Sequence, residues 1–447
     1  MKKYIPYLLL AVVGIIVILA WKPWENTRPG EEETGVTTEE VTQKGYLPSD
    51  EIEQKSSGKP AVCIYMENSG SMDGYVNLNS EFKDALGKVI VKSNNSYNTQ
   101  LFFVNNAIYD VQETQLKGDV NNFVSQLNSS TMKIGSTGSS NINKIFSMVL
   151  DKTNKDTVSV LFSDFVYSIQ GTDVSDQVAN AKNATMGAFL KALKNNPNFA
   201  TIILQCQSKF QGKYYNRNDN PVSYNGNRPY YIFIMGDYDK LMEIDKKLEL
   251  NRSQTGIPGL LNKYMLSSKT WNLNEETVQV LTTSYTSSDL IKPEHNGMDI
   301  DFIKYDKSDG SVSFAYAFGV NNLFVDGSYL TDVSNYEIDP SGVKVIKAEY
   351  TTDEAALNEV NQFKHPYVLQ LLIDNSTLTK NLKIRLINKL PKWVRNASVE
   401  DDLSGVPEET KTFAIASLLE GVYEAFASQT EHKPIFEFET IINEYKK

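Results

Sequence analysis

One short segment carries residue types suited to binding a cation. Glu67, Ser69 and Ser71 follow directly after the apolar run at residues 61–65, where a buried strand is predicted to end. The spacing brings one carboxylate and two hydroxyls together at the mouth of a sheet, and a hard cation such as Mg2+ prefers oxygen ligands of this kind. The segment therefore predicts a metal site that binds a partner through the metal and has no catalytic role.

Two further segments are predicted to reach the same place. Asp164 follows the apolar run at residues 157–162, and the Gly- and Ser-rich loop at residues 135–142 opens a helix. Parallel sheets place their ligands at the carboxyl ends of the strands. Three segments far apart in the sequence would thus deliver carboxylates and hydroxyls to one edge.

The elements that must position these residues alternate along the chain from residue 59. Apolar residues predict strands at residues 61–66, 100–104, 157–162, 200–204 and 230–235, and helices near residues 78–89, 142–150, 186–193 and 241–248. Such alternation is typical of an α/β fold with a mostly parallel sheet and helices on both faces.

Residues 59–250 resemble the von Willebrand factor type A (vWA) family, whose Rossmann-like domain carries a metal-ion-dependent adhesion site (MIDAS). The resemblance rests on Glu67-Asn68-Ser69-Gly70-Ser71, followed by Met72-Asp73-Gly74, and on the ordered segments behind it. It implies that Ser140 takes the place of the family's Thr, because Asn141-Ile142 follows it as in the family loop; Thr137 is the second candidate. The implied metal ligands are Glu67, Ser69, Ser71, Ser140 and Asp164.

Two of these ligands depart from the family pattern. Glu67 replaces an Asp and lengthens the arm by one methylene, whereas Ser140 replaces a Thr and loses the methyl group that restricts its rotamer. Both keep an oxygen ligand. The resemblance therefore still implies Mg2+, or Mn2+ or Ca2+, with one coordination position left for a carboxylate of a protein partner. The alternative is a site without metal, in which Glu67 accepts hydrogen bonds from nearby loop backbone.

Residues 208–227 interrupt the family pattern. They lie between two predicted strands but show no helical crossover, which a parallel connection needs. They form either a long antiparallel hairpin or an irregular insertion, and in both cases they leave from the proposed metal edge. Because Tyr is common in binding patches, Tyr214, Tyr215 and Tyr224, together with Asp73 in the motif, are predicted to contact the partner. The alternative is an ordinary surface loop.

From about residue 265 the apolar period changes to two. Alternation at residues 311–318, with further strands at 278–281, 300–303, 343–346, 367–373, 382–386 and 435–438, predicts a β-sandwich-like domain over residues 265–447. One helix is inserted at residues 415–426. No motif in this region carries chemistry, so the domain is predicted to be a spacer or an assembly surface.

The composition narrows the class of protein. The 447 residues are 41% hydrophobic and 22% charged, as in a globular protein, and the net charge of -11 argues against nucleic-acid binding. Cys63 and Cys206 cannot form a disulfide scaffold or a paired-cysteine zinc site, and both are predicted to be buried thiols. Three scattered histidines show no metal spacing. With no nucleophile–base pair evident, the chain is predicted not to be an enzyme.

Residues 1–24 are predicted to be a cytoplasmic tip and a transmembrane signal-anchor. Lys2-Lys3 precedes the apolar stretch at residues 4–21, which as a helix spans roughly 26 Å, enough for a hydrocarbon core. The lysines put the N-terminus in the cytoplasm and the bulk of the chain outside it, periplasmic or at the cell surface. Residues 25–58 hold nine acidic and three basic residues and predict a flexible acidic linker. A cleaved signal peptide is the alternative to the anchor.

These features predict a single-pass, membrane-anchored protein that binds a protein partner outside the cytoplasm through its metal site. A second hypothesis is an accessory or assembly subunit of a membrane complex, with contacts made by the β-rich domain and no metal in the site. A third is a metal-assisted hydrolase, for which only Asp73 offers itself as a base.

Overall fold

The structure is a computed structural model of the chain. It describes residues 61–446 except 119, 139, 170, 251–255, 283, 287–290, 294–296, 307, 321–322, 361–365, 375 and 378. The described residues belong to one compact unit, residues 55–447. The predicted membrane segment at residues 4–21 and the acidic linker at residues 25–58 lie outside them. Within the described part of the chain, no helix is both long enough and apolar enough to cross a membrane.

A mixed sheet of seven strands, counted over the described residues, forms the centre of the α/β part. Its strands are β1 (Val62–Glu67), β2 (Thr99–Val104), β3 (Ile108–Asp110), β4 (Val158–Ser163), β5 (Phe199–Tyr215), β6 (Pro221–Asp237) and β7 (Leu260–Ser267). Their order across the sheet is β3-β2-β1-β4-β6-β5-β7. The alternation of helices and strands predicted this α/β architecture, and the structure confirms it.

The prediction of a mostly parallel sheet is wrong. Strand β1 runs parallel to both β2 and β4, but each of the other four neighbouring pairs is antiparallel. Strand β3 runs back along β2 because only residues 105–107 join the two. For β6 the physical reason is the connection between β5 and β6. A short turn at residues 216–220 joins them directly, so β6 must run back along β5. Of the two alternatives for residues 208–227, the long hairpin is therefore the one that the structure adopts.

Helices cover both faces of this sheet, as predicted. They are α1 (Asp73–Val76), α2 (Glu81–Ser96), α3 (Phe123–Gln126), α4 (Ile142–Lys152), α5 (Val174–Asn195) and α6 (Tyr238–Leu248). Apolar residues of α2 and α6 pack with Ile64 on one face, and those of α4 and α5 pack with Tyr65 on the other. All six residues of β1 are buried because both of its faces are covered. Cys63 and Cys206 are buried free thiols, as predicted.

The β-rich part contains two larger sheets that share one apolar core. Its strands are β8 (Trp271–Asn272), β9 (Val278–Leu281), β10 (Ile291–Pro293), β11 (Ile300–Lys304), β12 (Ser311–Phe318), β13 (Tyr336–Asp339), β14 (Lys344–Tyr350), β15 (Tyr367–Asp374), β16 (Asn381–Leu386), β17 (Ser398–Val399), β18 (Thr412–Phe413) and β19 (Phe436–Lys446). One sheet has the order β10-β11-β19-β16-β13 and the other β14-β15-β12-β9. Side chains of both sheets, such as Tyr316 and Phe438, meet in the core between them.

The remaining helices are α7 (Gly327–Leu330), α8 (Glu354–Glu359), α9 (Lys392–Asn396) and α10 (Ile415–Thr430). Helix α10 is the helix predicted at residues 415–426, and it packs on the α/β part. Leu419, Val422 and Phe426 belong to the same apolar cluster as Phe189 of α5, and the ring of Phe426 stacks on that of Phe199 at 6.2 Å. Segments on both sides of the predicted boundary at residues 250–265 therefore build the core of the large sheet.

Candidate metal centre

The register of β1 and β4 brings two of the predicted segments side by side. These parallel strands pair Met66 with Phe162, so the residues that follow, Glu67 and Ser163, reach the same end of the sheet. The third segment arrives at the start of α4, where the Asn141 side chain caps the helix by accepting a hydrogen bond of 3.0 Å from the Lys144 N–H. The residue before this cap is Ser140.

The Glu67 carboxylate lies at the centre of the site and is only 1% exposed. The Ser69 hydroxyl donates to its Oε1 at 2.7 Å. The Ser140 hydroxyl donates to the same oxygen, and the Ser163 hydroxyl donates to Oε2. These partners are hydroxyl groups rather than the loop backbone that the metal-free alternative envisaged. Three segments of the chain thus converge on one buried carboxylate.

A second buried carboxylate, Asp164, lies next to this group. Its Oδ1 accepts a hydrogen bond of 3.2 Å from the Val166 N–H, and the Ser71 hydroxyl also hydrogen bonds to it. Burial, and then the nearby charge of Glu67, raises the pKa of Asp164 to about 7. The guanidinium of Arg228, a fully buried residue of β6, opposes this rise. The site therefore concentrates negative charge in a place that water hardly reaches.

The two serines of the motif leave lone pairs unused. Their Oγ atoms lie 3.0 Å apart. Each hydroxyl has one proton, and if Ser69 gives its proton to Glu67 and Ser71 to Asp164, two acceptor oxygens face each other. Together with the carboxylates they offer the all-oxygen donor set that a hard divalent cation prefers. The described residues contain no group of three or more His, Cys, Asp or Glu side chains placed to hold a metal ion, so a cation here would depend on hydroxyl ligands.

The structure distinguishes between the two candidate residues of the Gly-rich loop. Thr137 offers its backbone carbonyl to the Gly70 N–H at 2.9 Å, whereas Ser140 brings its hydroxyl to Glu67. Two buried amides hold this loop in place: Asn68 donates to Met132 O at 2.7 Å, and Asn105 donates to Ile134 O at 2.8 Å. The five predicted ligands, Glu67, Ser69, Ser71, Ser140 and Asp164, therefore come together.

Sequence reasoning missed three residues that shape this edge. Ser163 reaches Glu67, and Arg228 places a buried positive charge near Asp164. Phe165 has a φ of 52°, a left-handed conformation that is strained for an aromatic residue. Its buried ring stacks on Phe146 at 5.4 Å and so holds the backbone beside Asp164. Of these three, only Ser163 carried a signal in the sequence, because it is a polar residue at the end of an apolar run, directly before Asp164.

The β5–β6 hairpin extends past the sheet and covers the metal edge. A methyl group at Gly74 would overlap the ring of Phe210, and one at Gly70 would touch the ring of Tyr215 at 3.4 Å. The remaining cleft has a volume of about 20 Å3. It is lined by Glu67, Ser69, Gly70, Ser71, Gly138, Ser140, Val166, Ser168, Tyr215, Asn216 and Asp219. A water molecule needs roughly 10–15 Å3, so the cleft has room for one species of that size.

The residues predicted to contact a partner have different environments. Tyr214 is buried, donates its hydroxyl proton to Asp402 and lies under the guanidinium of Arg228 at 4.6 Å. It therefore does not lie on an exposed recognition surface, because a segment distant in sequence covers it. Tyr224 is half-buried and packs on Phe210 at 6.2 Å. Tyr215 is half-buried and lines the cleft.

Asp73 begins α1 and is half-buried, and burial raises the pKa of its carboxyl group. It is not among the residues that line the cleft. The hydrolase hypothesis, which required Asp73 as a base near the metal, gains no support from this placement.

Comparison of the chain with protein-family models, with curated proteins and with solved structures finds no match. The resemblance to the vWA family therefore depends on the motif residues and their order, and membership of that family stays a prediction.

Proposed function

We propose that this chain is a membrane-anchored, extracytoplasmic protein that holds a divalent cation at the edge of its mixed sheet and binds a protein partner through it. The cation would be Mg2+, with Mn2+ or Ca2+ as the other candidates, and the partner would offer a carboxylate. One observation carries the proposal: the buried Glu67 carboxylate and the hydroxyls of three serines, Ser69, Ser71 and Ser140, line one cleft of about 20 Å3. The buried carboxylate of Asp164 lies behind them and hydrogen bonds with Ser71.

The donor set favours binding over catalysis. Glu67 and Asp164 supply negative charge, whereas Ser69, Ser71 and Ser140 are neutral. A divalent ion held mainly by neutral oxygens keeps enough positive charge to attract an external anion. These residues would hold the ion and orient it toward the mouth of the cleft.

The position outside the cytoplasm is supported by the sequence alone. Lys2-Lys3 before the apolar stretch at residues 4–21, and the acidic segment at residues 25–58, favour an uncleaved anchor followed by a tether. Two reporter enzymes test this orientation when each is fused to the C-terminus: one works only in the cytoplasm and the other only outside it. Activity of the cytoplasmic reporter, with no activity of the other, would overturn the orientation.

Calorimetric titration tests the metal site directly. Mg2+ and Mn2+ are titrated into residues 55–447, the compact unit, and into the variants Glu67→Gln and Asp401→Asn. Asp401 is a matched control, because it is an exposed carboxylate paired with Arg217 at 2.8 Å and does not line the cleft. We expect saturable one-to-one binding by the wild type and the control, and loss of binding in Glu67→Gln. No binding by the wild type would refute the proposal.

The accessory-subunit hypothesis is the second candidate, and one observation favours it. The hydroxyls of Ser69, Ser140 and Ser163 already satisfy the Glu67 carboxylate within the chain. A pull-down from a solubilised envelope fraction, with and without a chelator, separates the two functions. Metal-dependent binding predicts that the chelator and Glu67→Gln both release the partner. A partner retained in both cases supports the accessory subunit.

A further inference from the structure

A larger groove lies next to the cleft of the candidate metal centre. Its volume is about 460 Å3, within the roughly 300–1,000 Å3 that is usual for ligand-binding pockets. Ser140 and Ser168 line both the groove and the cleft, so the two adjoin. We propose that the groove binds an extended peptide segment of the partner, in which uncharged residues flank the acidic residue that reaches the cation. This inference rests on the proposed function and adds to it the kind of segment that is recognised.

The lining of this groove carries no charge. Ten described residues line it, from the start of α4, the loop after Asp164 and the first half of α5, and none of the ten is acidic or basic. By contrast, 22% of the whole chain is charged. A charged side chain of a partner would lose water in the groove without gaining an ion pair. The groove therefore favours an uncharged segment.

Two side-chain amides at the start of α4 are held with their donors unused. The Asn143 Oδ1 accepts hydrogen bonds from the hydroxyls of Tyr167 at 3.2 Å and Thr185 at 2.8 Å. The Asn141 Oδ1 accepts one from the Lys144 N–H at 3.0 Å. Within the described part of the chain, neither Nδ2 group has a hydrogen-bond acceptor of its own. Both amides can therefore donate to carbonyl groups of a ligand in the groove.

Asn180 adds an acceptor to these donors. It is exposed on α5 and lines the groove, and its side chain bonds to none of the described residues. Its amide therefore offers one oxygen as well as two N–H groups. Each residue of an extended peptide, proline apart, presents one N–H and one C=O that need partners. The amides of Asn141, Asn143 and Asn180 together match that combination.

The groove offers no surface on which a ring could stack. Tyr167 is the one aromatic residue among its described lining residues, and it is only 7% exposed. Binding of single-stranded nucleic acid needs exposed aromatic faces and positive charge, and the groove has neither. A peptide main chain binds through hydrogen bonds without stacking. It is therefore the ligand that this lining fits.

Peptide display tests the proposal, using residues 55–447 loaded with Mn2+. The probe is a library of short peptides that share one central Asp and have random flanking residues. We expect selection of peptides with uncharged residues beside the Asp, and their release by a chelator. The comparison library carries Ala in place of the central Asp. Equal enrichment from the two libraries, selected peptides with charged flanks, or peptides retained in chelator would each overturn the proposal.

Blocking variants locate the bound peptide. Gln177→Trp and Asn180→Trp place a large ring at the groove from exposed positions of α5. Asn183→Trp is the matched control, because Asn183 is exposed on the same helix and does not line the groove. Affinity for the selected peptides should fall at least about tenfold in the two blocking variants, through loss of the groove contacts, and stay unchanged in the control.

Mn2+ affinity, measured by calorimetry, separates the failure of this proposal from that of the metal site. It should be the same in the wild type and in all three variants, and thermal unfolding shows that each is folded. If the wild type binds Mn2+ but the selected peptides bind the blocking variants as tightly as the control, the groove is refuted and the metal site stands. If the wild type binds no divalent cation, the metal site is refuted and the groove proposal falls with it.

Discussion

The Ser163 hydroxyl donates a hydrogen bond to Glu67 while its oxygen accepts one of 2.9 Å from the Phe165 N–H. This one side chain therefore joins the ends of two neighbouring parallel strands and fixes the strained residue after Asp164. Ser163, which is not itself a predicted ligand, therefore helps to hold the metal edge together.

Replacing Ser163 by alanine should destabilise the protein by about 1–3 kcal/mol, because it leaves a buried carboxylate oxygen and a buried N–H without their partner. Denaturant unfolding of residues 55–447 measures the effect. Ser147→Ala is the matched control: Ser147 is exposed on α4 and bonds only to Asn143 O at 3.0 Å. Its change should stay within about 0.5 kcal/mol. Equal effects for the two variants would contradict the role of Ser163.

Two glycine substitutions should have opposite effects on stability. A methyl group at Gly74 overlaps the buried ring of Phe210, so Gly74→Ala should cost about 1–3 kcal/mol. At Gly87, within α2, the added methyl group meets Val124 at an ordinary 3.6 Å. Gly87→Ala should therefore stabilise the protein by up to about 1 kcal/mol through helix propensity. Thermal unfolding of both variants checks the signs, and a neutral Gly74→Ala would show that the hairpin does not press on this edge.

Tyr214 and Tyr224 offer a test of buried against surface roles. Tyr214→Phe removes the hydroxyl that donates to the buried carboxylate of Asp402, and should cost about 1–3 kcal/mol of unfolding free energy. Tyr224→Phe removes only a long contact of 3.4 Å with Asn227 O and should be nearly neutral. Chemical denaturation of the two variants measures the difference. Similar values would contradict the structural role assigned to Tyr214.

Asp326 should make the protein less stable as the pH rises from about 4 to 6. Burial raises its pKa from the ordinary 3.8 to about 6, against the opposing backbone N–H and charge of Lys263. In that window the folded state holds more protons than the unfolded state, so the free energy of unfolding falls with rising pH, by up to about 3 kcal/mol.

The variant Asp326→Asn isolates this contribution, since an amide does not titrate. Its unfolding free energy relative to the wild type should increase between pH 4 and 7, as measured by urea denaturation at each pH. Asp309→Asn, at an exposed position, should follow the wild type. Parallel curves for wild type and Asp326→Asn would mean that Asp326 is not a buried acid.

Much of the α/β layout follows from local patterns. The apolar runs around Val62 and Val158 and the helical stripe on Ile142 lie within the observed elements, because burial on both faces leaves a strong signal. The direction of β6 does not follow, since polar residues fill the outer half of the hairpin and mimic a loop. The antiparallel pairing of β6 with both β4 and β5 depends on that one connection.

The candidate site likewise has a part that is predictable from the sequence and a part that is not. Glu67, Ser69, Ser71 and Asp164 follow strand ends, and their meeting is predictable from the geometry of parallel strands. The covering hairpin is not predictable from local pattern. Tyr214 looks like a surface residue until Asp402, 188 positions away in the sequence, is placed beside it. Contacts of such long range leave no trace in periodicity.

The packing of α10 on the large sheet has a consequence for the order of synthesis. The last strand of that sheet ends at Ser267, but the helix that completes one of its faces begins at Ile415. At the usual 5–20 residues per second, the roughly 150 residues between them take about 7–30 s to emerge. During this interval an apolar face that includes Phe199 lacks its final cover. The nascent chain therefore passes through an aggregation-prone stage, and a chaperone that binds apolar surfaces should capture it there.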